Sequence, residues 1–320
     1  MGGGDVAAWS RLCNLLAEVD QTGEFYEPED LAEELLAPGF DADLDCLAVW
    51  DGEEMTGYVQ VGVADSLRDG LARGSIMGGV LPDFRRQGLG GRLMDFAEAR
   101  VVELSTNLHP HAALSVDLHA NLDVANSDVL AHARGYLPVR YFQQMGLQLE
   151  HLEPAMLSLP DAETAPMIRT YSPQFTDGVR GAHNEAFADH WGSTSHSTSR
   201  WNTYTSARSF RPGFGRLLVE PSSDGDPLGR VLSYVLSSEW VPGELYVDLV
   251  GTRRAARGKG YAAVLLSEVL RAAAAAGYRR VELQVDSESP TGAVGLYERL
   301  GFGRIRTMVV HQRIFPATAA

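Results

Sequence analysis

Apolar and polar positions along this chain fall into two runs of the same kind, one in each half. In the first, the small-residue segment GSIMGGVLP (74–82) predicts a strand. It leads through DFRRQGLGGRL into a stretch whose Leu89, Leu93, Phe96, Ala97, Val101 and Leu104 recur at helical spacing. An apolar strand, ALSVDL (113–118), follows, then a short helix that Asn126 can cap, and then RGYL (134–137), whose Gly135 suits a helix C-terminus.

The second half repeats this order. Strand LYVDLVGT (245–252) enters RRAARGKGYA, and an Ala/Leu-rich helix runs from 261 to Ala276, stopped by Gly277. Strand RRVELQVD (279–286), helix TGAVGLYERL ended by Gly301, and the alternating FGRIRTMVVHQRIF complete it. Each half also carries an earlier strand pair joined through a Gly/Asp-rich turn, at 45–64 and at 215–238. LEHLEPAMLSLPDAETAP (149–166) has several prolines and no period, which reads as a linker.

A repeat at a spacing of roughly 170 residues is that of a duplicated domain, and 320 residues exceed the usual single core. The expected architecture is therefore α/β of the α+β type: two tandem domains, each a mostly antiparallel mixed sheet flanked by helices. Their expected bounds are 1–150 and 166–320, with a linker over 151–165.

Composition narrows the function. Apolar residues at 45% and charged residues at 22% are ordinary for a globular chain, whereas a net charge of −15 repels nucleic acid and anionic membranes and suits a cationic or neutral partner. Cys13 and Cys46 are too few for a disulfide framework or a thiolate metal site, so no metal is expected. MGGGDVAAW lacks a basic region followed by an apolar run, Val6 breaks the myristoylation pattern, and no apolar run is long enough to span a bilayer. The expected location is the cytoplasm.

A strand that ends in R-x-x-G-x-G/A and opens into a helix makes an anion cradle. Backbone N–H groups freed at the helix N-terminus converge with the positive end of its dipole, and glycines let a phosphate approach the main chain. Gly88, Gly90 and Gly91 supply that access in the first copy, beside Arg85, Arg86 and Gln87. Gly258, Gly260 and Ala262 supply it in the second, beside Arg257 and Lys259, the one lysine of the chain. A dinucleotide fingerprint fails because Leu93 stands where its third glycine belongs, and a P-loop fails because Gly260 follows Lys259.

ARGKGYA together with GLYERLGF (295–302) resembles motifs A and B of the GNAT superfamily of acyl-CoA-dependent N-acyltransferases, and VLPDFRRQGLGGRL resembles a second motif A. Two such domains in one chain are similar to the tandem, mycothiol synthase-like GNAT proteins, as is EAFADHWGS (185–193). The resemblance implies acetyl-CoA as cosubstrate. Val80, Leu81 and Pro82 in one copy, and Val250 to Thr252 in the other, would meet the pantetheine and the thioester carbonyl. The pyrophosphate would lie on Arg85 to Gly91, including Leu89, and on Arg257 to Ala262, including Tyr261.

Direct attack by an amine needs one proton removed and one returned to the departing thiolate. Tyr297, four residues before Gly301, matches the family's general acid. Asp248, a carboxylate inside an apolar strand that needs a partner or a purpose, is the candidate base or relay, with Glu244, Tyr246 and His190 as alternatives. In the first copy Ala131 stands at the tyrosine position, His132 beside it points elsewhere, and 74–82 holds neither carboxylate nor histidine. Ser289 stands ahead of Pro290 where related segments often have Asn, a changed cap that keeps the helix. FADHWGSTSHSTSRWNTYTS (187–206), rich in hydroxyl, imidazole and indole groups, lies where this family places acceptor-binding segments.

The expected activity is transfer from acyl-CoA to a small-molecule amine by the C-terminal domain, with the N-terminal domain either binding CoA without turnover or serving as a structural half. A non-catalytic CoA sensor or scaffold, or a protein N-acetyltransferase, are the alternatives.

Overall fold

The alternating and helical runs become elements in the predicted order. The computed structural model describes residues 1–124, 128–159, 161, 167–221 and 227–317. Its first half runs α1 (Val6–Val19), α2 (Pro28–Leu35), β1 (Cys46–Asp51), β2 (Glu54–Val63), β3 (Ala72–Val80), α3 (Leu89–Leu108), β4 (Leu114–Asn121), α4 (Val129–Ala133) and β5 (Leu137–Gln148). The second runs β6 (Ile168–Thr170), α5 (Thr176–Ala186), α6 (Thr198–Ser206), β7 (Arg216–Glu220), β8 (Arg230–Val241), β9 (Glu244–Thr252), α7 (Tyr261–Ala275), β10 (Arg280–Asp286), α8 (Ala293–Arg299) and β11 (Gly303–Phe315). Asp128 stands at the N-cap position of α4, and Asn126, the expected cap, lies outside the described residues. No helix among the described residues is long and apolar enough to cross a membrane.

Two compact units form, Met1–Tyr141 with Arg306–Ala320, and Phe142–Ile305. This differs from the expected bounds of 1–150 and 166–320, and strand pairing is the reason. In the first unit β11 lies antiparallel to β4, Met308 opposite Asn121 through Phe315 opposite Leu114. In the second, β5 lies antiparallel to β10, Phe142 opposite Asp286 through Gln148 opposite Arg280. The last strand of each half thus completes the sheet built by the other half. The expected linker begins with two single turns, Leu149–His151 and Pro154–Met156, while 160 and 162–166 lie outside the described residues.

Strand order is β1-β2-β3-β4-β11 in the first unit and β5-β10-β9-β8-β7-β6 in the second. Only β3 with β4 and β9 with β10 run parallel among these pairs, so each sheet is mixed and mostly antiparallel. Flanking helices lay apolar faces on them. Leu93, Met94, Ala97 and Val101 of α3 pack with Val59, Val61, Ile76 and Val116, while Leu265, Leu266, Val269 and Leu270 of α7 pack with Leu218, Val235, Leu245 and Leu283. β8 is covered on both faces, so Val231 to Ser238 are all buried, and its serines need partners inside the protein.

Removing 306–320 takes from β4 its antiparallel partner and exposes an edge. Amide exchange across Leu114–Asn121 should then quicken by at least about tenfold while β8 stays protected. Hydrogen exchange read by mass spectrometry checks this, and an unchanged β4 would show that the C-terminal strand is dispensable to it.

Candidate active site

The site begins with a ladder that stops early. β9 and β10 pair in parallel from Glu244 opposite Arg280 to Val247 opposite Leu283, yet β9 continues to Thr252 and β10 to Asp286. Beyond Val247 the strands part, and the β10-facing backbone of β9 is left without a ladder partner although it lies inside a sheet. On its other side β9 stays paired with β8 as far as Thr252 opposite Ser233. The first unit repeats the geometry: β3 and β4 pair only from Ala72 opposite Leu114 to Ser75 opposite Asp117, while β3 continues to Val80.

At the point of parting β9 carries a bulge. Leu236 faces Leu249 and Ser237 faces Val247, so Asp248 is the extra residue. Leu245 and Val247 pack with α7, whereas Leu249 packs with the cluster of Val179 and Trp201 from α5 and α6. The bulge thus turns Asp248 to the α6 side, where its Oδ2 accepts hydrogen bonds from Ser238 Oγ at 2.6 Å and Tyr204 Oη at 3.0 Å. Burial pushes the Asp248 carboxyl up to about 7, against the opposing pull of Ser238, Tyr204 and the Trp240 indole. Such a carboxyl exchanges its proton near neutrality.

Below it lies an aromatic nest. His183 is 2% exposed, its Nδ1 lies 2.7 Å from Tyr234 Oη, and its ring stacks on Phe187 at 4.4 Å between centroids. Burial first, then His196 and His190, hold His183 down at about 3, so it stays neutral. Tyr234 fits because residue 251 is glycine; a Cβ there would overlap its ring. The segment expected to bind the acceptor is therefore partly core, with Trp201 fully buried.

Ser238, Tyr204 and Trp240 are partners of Asp248 that local sequence does not point to. The faint signal is Ser237 with Ser238, polar residues closing an apolar strand. Among the alternative bases, Glu244 opens β9, where the ladder to β10 is still closed, with Arg279 at 3.9 Å. Tyr246 lies opposite Ser238 and Glu282 within the paired part of β9, and His190 Nδ1 lies 3.1 Å from the Trp191 carbonyl.

Tyr297 sits on α8 in the other cluster, 7% exposed, with Val247, Val285 and Phe302. Its ring meets Phe302 edge-on at 6.0 Å, and burial pushes its phenol above the ordinary value. The two catalytic candidates therefore face opposite sides of β9. Where the first unit repeats these positions, Ile76 follows the last paired residue of β3 and Ala131 precedes Gly135 by four, both in the apolar core.

The glycine loops match in detail. Gly88 (φ 85°) and Gly260 (φ 77°) are the left-handed N-caps of α3 and α7, and no atom lies within 4 Å of where their Cβ would be. Gly258 (φ 78°) precedes the second cap by two residues, and Arg86 takes the same left-handed conformation (φ 62°) in the first loop. Gly91 is open like Gly88, while a Cβ on Gly90 would press on Leu130.

Two of the three arginines expected on phosphate, Arg85 and Arg257, hydrogen-bond within the protein. Arg85 donates to the Val80 carbonyl at 2.7 Å and pairs with Asp20 at 2.8 Å. Arg257 donates to the Thr252 carbonyl at 3.3 Å and the Ala186 carbonyl at 2.9 Å, with Asp189 at 3.7 Å. Each braces its loop against the end of a strand and the region just past a helix. Arg253 with Glu185 and Arg254 with Asp189 strengthen the second brace. Arg86 and Lys259 remain exposed at the cradles, Lys259 lying 5.9 Å from the Tyr261 ring centroid. Gln87 is turned to the Asp83 carbonyl at 2.9 Å. Val80 and Leu81 are core, Pro82 opens an exposed turn, Val250 packs with the α7 cluster, and Leu89 and Tyr261 begin their helices.

A parted parallel strand pair running into a glycine-capped helix is present twice. The pattern of the acetyltransferase (GNAT) family matches residues 9–124 and 178–302, and the chain belongs to that family of acyltransferases. Mycothiol acetyltransferase from Thermobispora bispora is 29% identical over 313 residues, 97% of this chain and 96% of that protein. The enzyme of the same name from Kytococcus sedentarius is 30% identical over 237 residues, 73% of each chain. Among solved structures, a GCN5-related N-acetyltransferase from Sphaerobacter thermophilus superposes with a TM-score of 0.74 at 28% identity, covering 100% of this chain and 96% of that one. A tandem GNAT protein from the clavulanic acid biosynthesis pathway shares the fold, with a TM-score of 0.66 at 18% identity and coverage of 100% and 98%.

Asp248 ties the site to stability. Its folded value lies above the roughly 3.9 of a free aspartate, so the folded chain holds a proton that the unfolded chain has lost. The neutral carboxyl stabilises the fold at low pH, and this contribution fades as pH rises through about 7. Asp248→Asn cannot ionise and should gain stability relative to the native chain as pH rises from about 4 to about 7, and level off above. Melting temperatures of both proteins across that range check the sign; parallel curves would mean that Asp248 titrates like a surface carboxylate.

Proposed function

We propose that the second unit transfers an acetyl group from acetyl-CoA to the amine of a small, cationic or neutral molecule by direct attack on the thioester. The observation that carries this reading is the pairing of an opened strand with two proton-transfer groups, Asp248 and Tyr297, in one unit alone. Ile76 and Ala131 leave the first unit with the same cradle and neither group.

The residues present fit acetyl-CoA. Backbone N–H groups at the start of α7, with Gly258 and Gly260 free of overlying atoms, suit a pyrophosphate, and Lys259 adds a mobile cation. The unpaired edge of β9 after Val247 suits the amide-bearing pantetheine arm, to which it can offer strand-like hydrogen bonds. When bound, the cosubstrate supplies the activated acyl group. An N–H of that edge aimed at the thioester oxygen would stabilise the negative charge that develops there.

Asp248 takes the proton of the incoming ammonium, directly or through water. Tyr297, its phenol held neutral by burial, returns a proton to the departing sulfur. They stand on opposite faces of β9, beside the point where β9 parts from β10. The relatives' name, mycothiol acetyltransferase, and the net charge of −15 both support a small-molecule acceptor over a nucleic-acid-bound or membrane-bound one. The first unit, in this reading, binds acyl-CoA without turning it over.

Thiol release from acetyl-CoA against a panel of small amines tests the proposal. On the best acceptor, Tyr297→Phe should lower kcat by about 10²-fold with little change in the acetyl-CoA KM. Asp248→Asn should remove the fall in rate below about pH 7, at a lower plateau, whereas Glu244→Gln should keep it. Wild-type rates in Tyr297→Phe would overturn the acid assignment, and loss of the acid limb in Glu244→Gln alone would move the base to that residue.

A further inference from the structure

We propose that Asp128, His132 and His311 of the first unit form a binding site for a divalent first-row metal ion, with zinc the best fit. Asp128 and His132 lie one helical turn apart at α4, and His311 comes from β11, where it pairs with Leu118 of β4. One ligand atom from each residue lies within 4.8 Å of the others.

The spacing is that of a metal span and not of hydrogen bonds. His132 Nδ1 is 3.5 Å and His311 Nε2 is 3.7 Å from the same Asp128 oxygen, Oδ2. Hydrogen bonds close at about 2.7–3.2 Å, whereas zinc bonds of about 2.0–2.2 Å in tetrahedral array hold ligand atoms about 3.4 Å apart. The imidazoles meet edge to face with centroids 4.9 Å apart, so they converge without stacking.

A second observation is the state of His311. It is 1% exposed, its Nε2, the nitrogen toward the site, comes no nearer to Asp128 than 3.7 Å, beyond hydrogen-bond reach, and its Nδ1 has no hydrogen-bond partner among the described residues. The fold has buried a polar ring that hydrogen bonding does not account for. Two imidazoles and one carboxylate suit zinc better than magnesium or calcium, which favour all-oxygen sets. His132, with 47% of its side chain exposed, leaves room for water as a fourth ligand.

The position gives the ion a role. α4 is the counterpart of the Tyr297 helix, and a bound ion would clip it to the strand that arrives from the far end of the chain. The expectation of no metal rests on the cysteines, since two of them cannot build a thiolate site. Two histidines and an aspartate brought together from 128–132 and 311 escape that argument, because no short motif spaces them.

The test uses the untagged full chain, stripped with chelator and titrated with Zn²⁺ by calorimetry and with Co²⁺ by visible absorption. The expected result is one saturable ion per chain, tetrahedral Co²⁺ bands, and a melting temperature that rises with Zn²⁺. Asp128→Asn and His132→Ala change partly exposed side chains and should keep the fold by circular dichroism while each weakens binding by at least about tenfold. His311→Ala should weaken it as well. Absence of saturable binding by the native chain, or equal affinity in Asp128→Asn and His132→Ala, overturns the site.

Discussion

The constraint on which the rest of the second unit depends is the parting of β9 from β10 after Val247. A strand inside a sheet normally has ladder partners on both sides, and β9 has none toward β10 from Asp248 to Thr252. The surrounding structure is arranged to hold the gap open. β8 keeps the other side of β9 in register to Thr252, the bulge at Asp248 lets the strand bend, and Gly251 lets the Tyr234 ring lie against the backbone. What the opening offers is a set of backbone donors that a ligand with its own amide groups can satisfy.

Duplication preserved the braces and let the chemistry diverge. Arg85 and Arg257 make the same link from loop to strand carbonyl, and the left-handed caps Gly88 and Gly260 start the helices in the same way. These features serve the shape of a cradle. The residues that differ, Ile76 for Asp248 and Ala131 for Tyr297, are those to which we assign proton transfer in the second unit, and in the first unit they joined the apolar core. Arginine adopts at position 86 the left-handed conformation that glycine takes at 258, so the loop's geometry outweighs the local preference of the side chain.

Much of the fold is legible in the amino-acid sequence. Helical spacing from Leu89 to Leu104 matches α3, the expected strand pairs form as β1 with β2 and β7 with β8, and glycine spacing locates both helix N-termini. Arg85 and Arg257 are harder. A cation beside a glycine loop usually faces the ligand, yet both are turned to carbonyls and carboxylates that sequence spacing does not place. Tyr204 and Ser238 escape local spacing as partners of Asp248 for the same reason, since they come from different elements and meet only in the folded unit.

The sequence by itself determined the order of elements, the two glycine loops that start α3 and α7, the family, and the absence of a tyrosine from the first copy, because these depend on residues close along the chain. Tertiary structure alone decided which strand completes which sheet. β11 closes the first unit and β5 the second, a choice made by edge pairing across the length of the chain and invisible to local periodicity. It also decided the proton affinity of Asp248, since that follows from what lies around the carboxylate once water has been removed, and the side of β9 it faces follows from a single bulge.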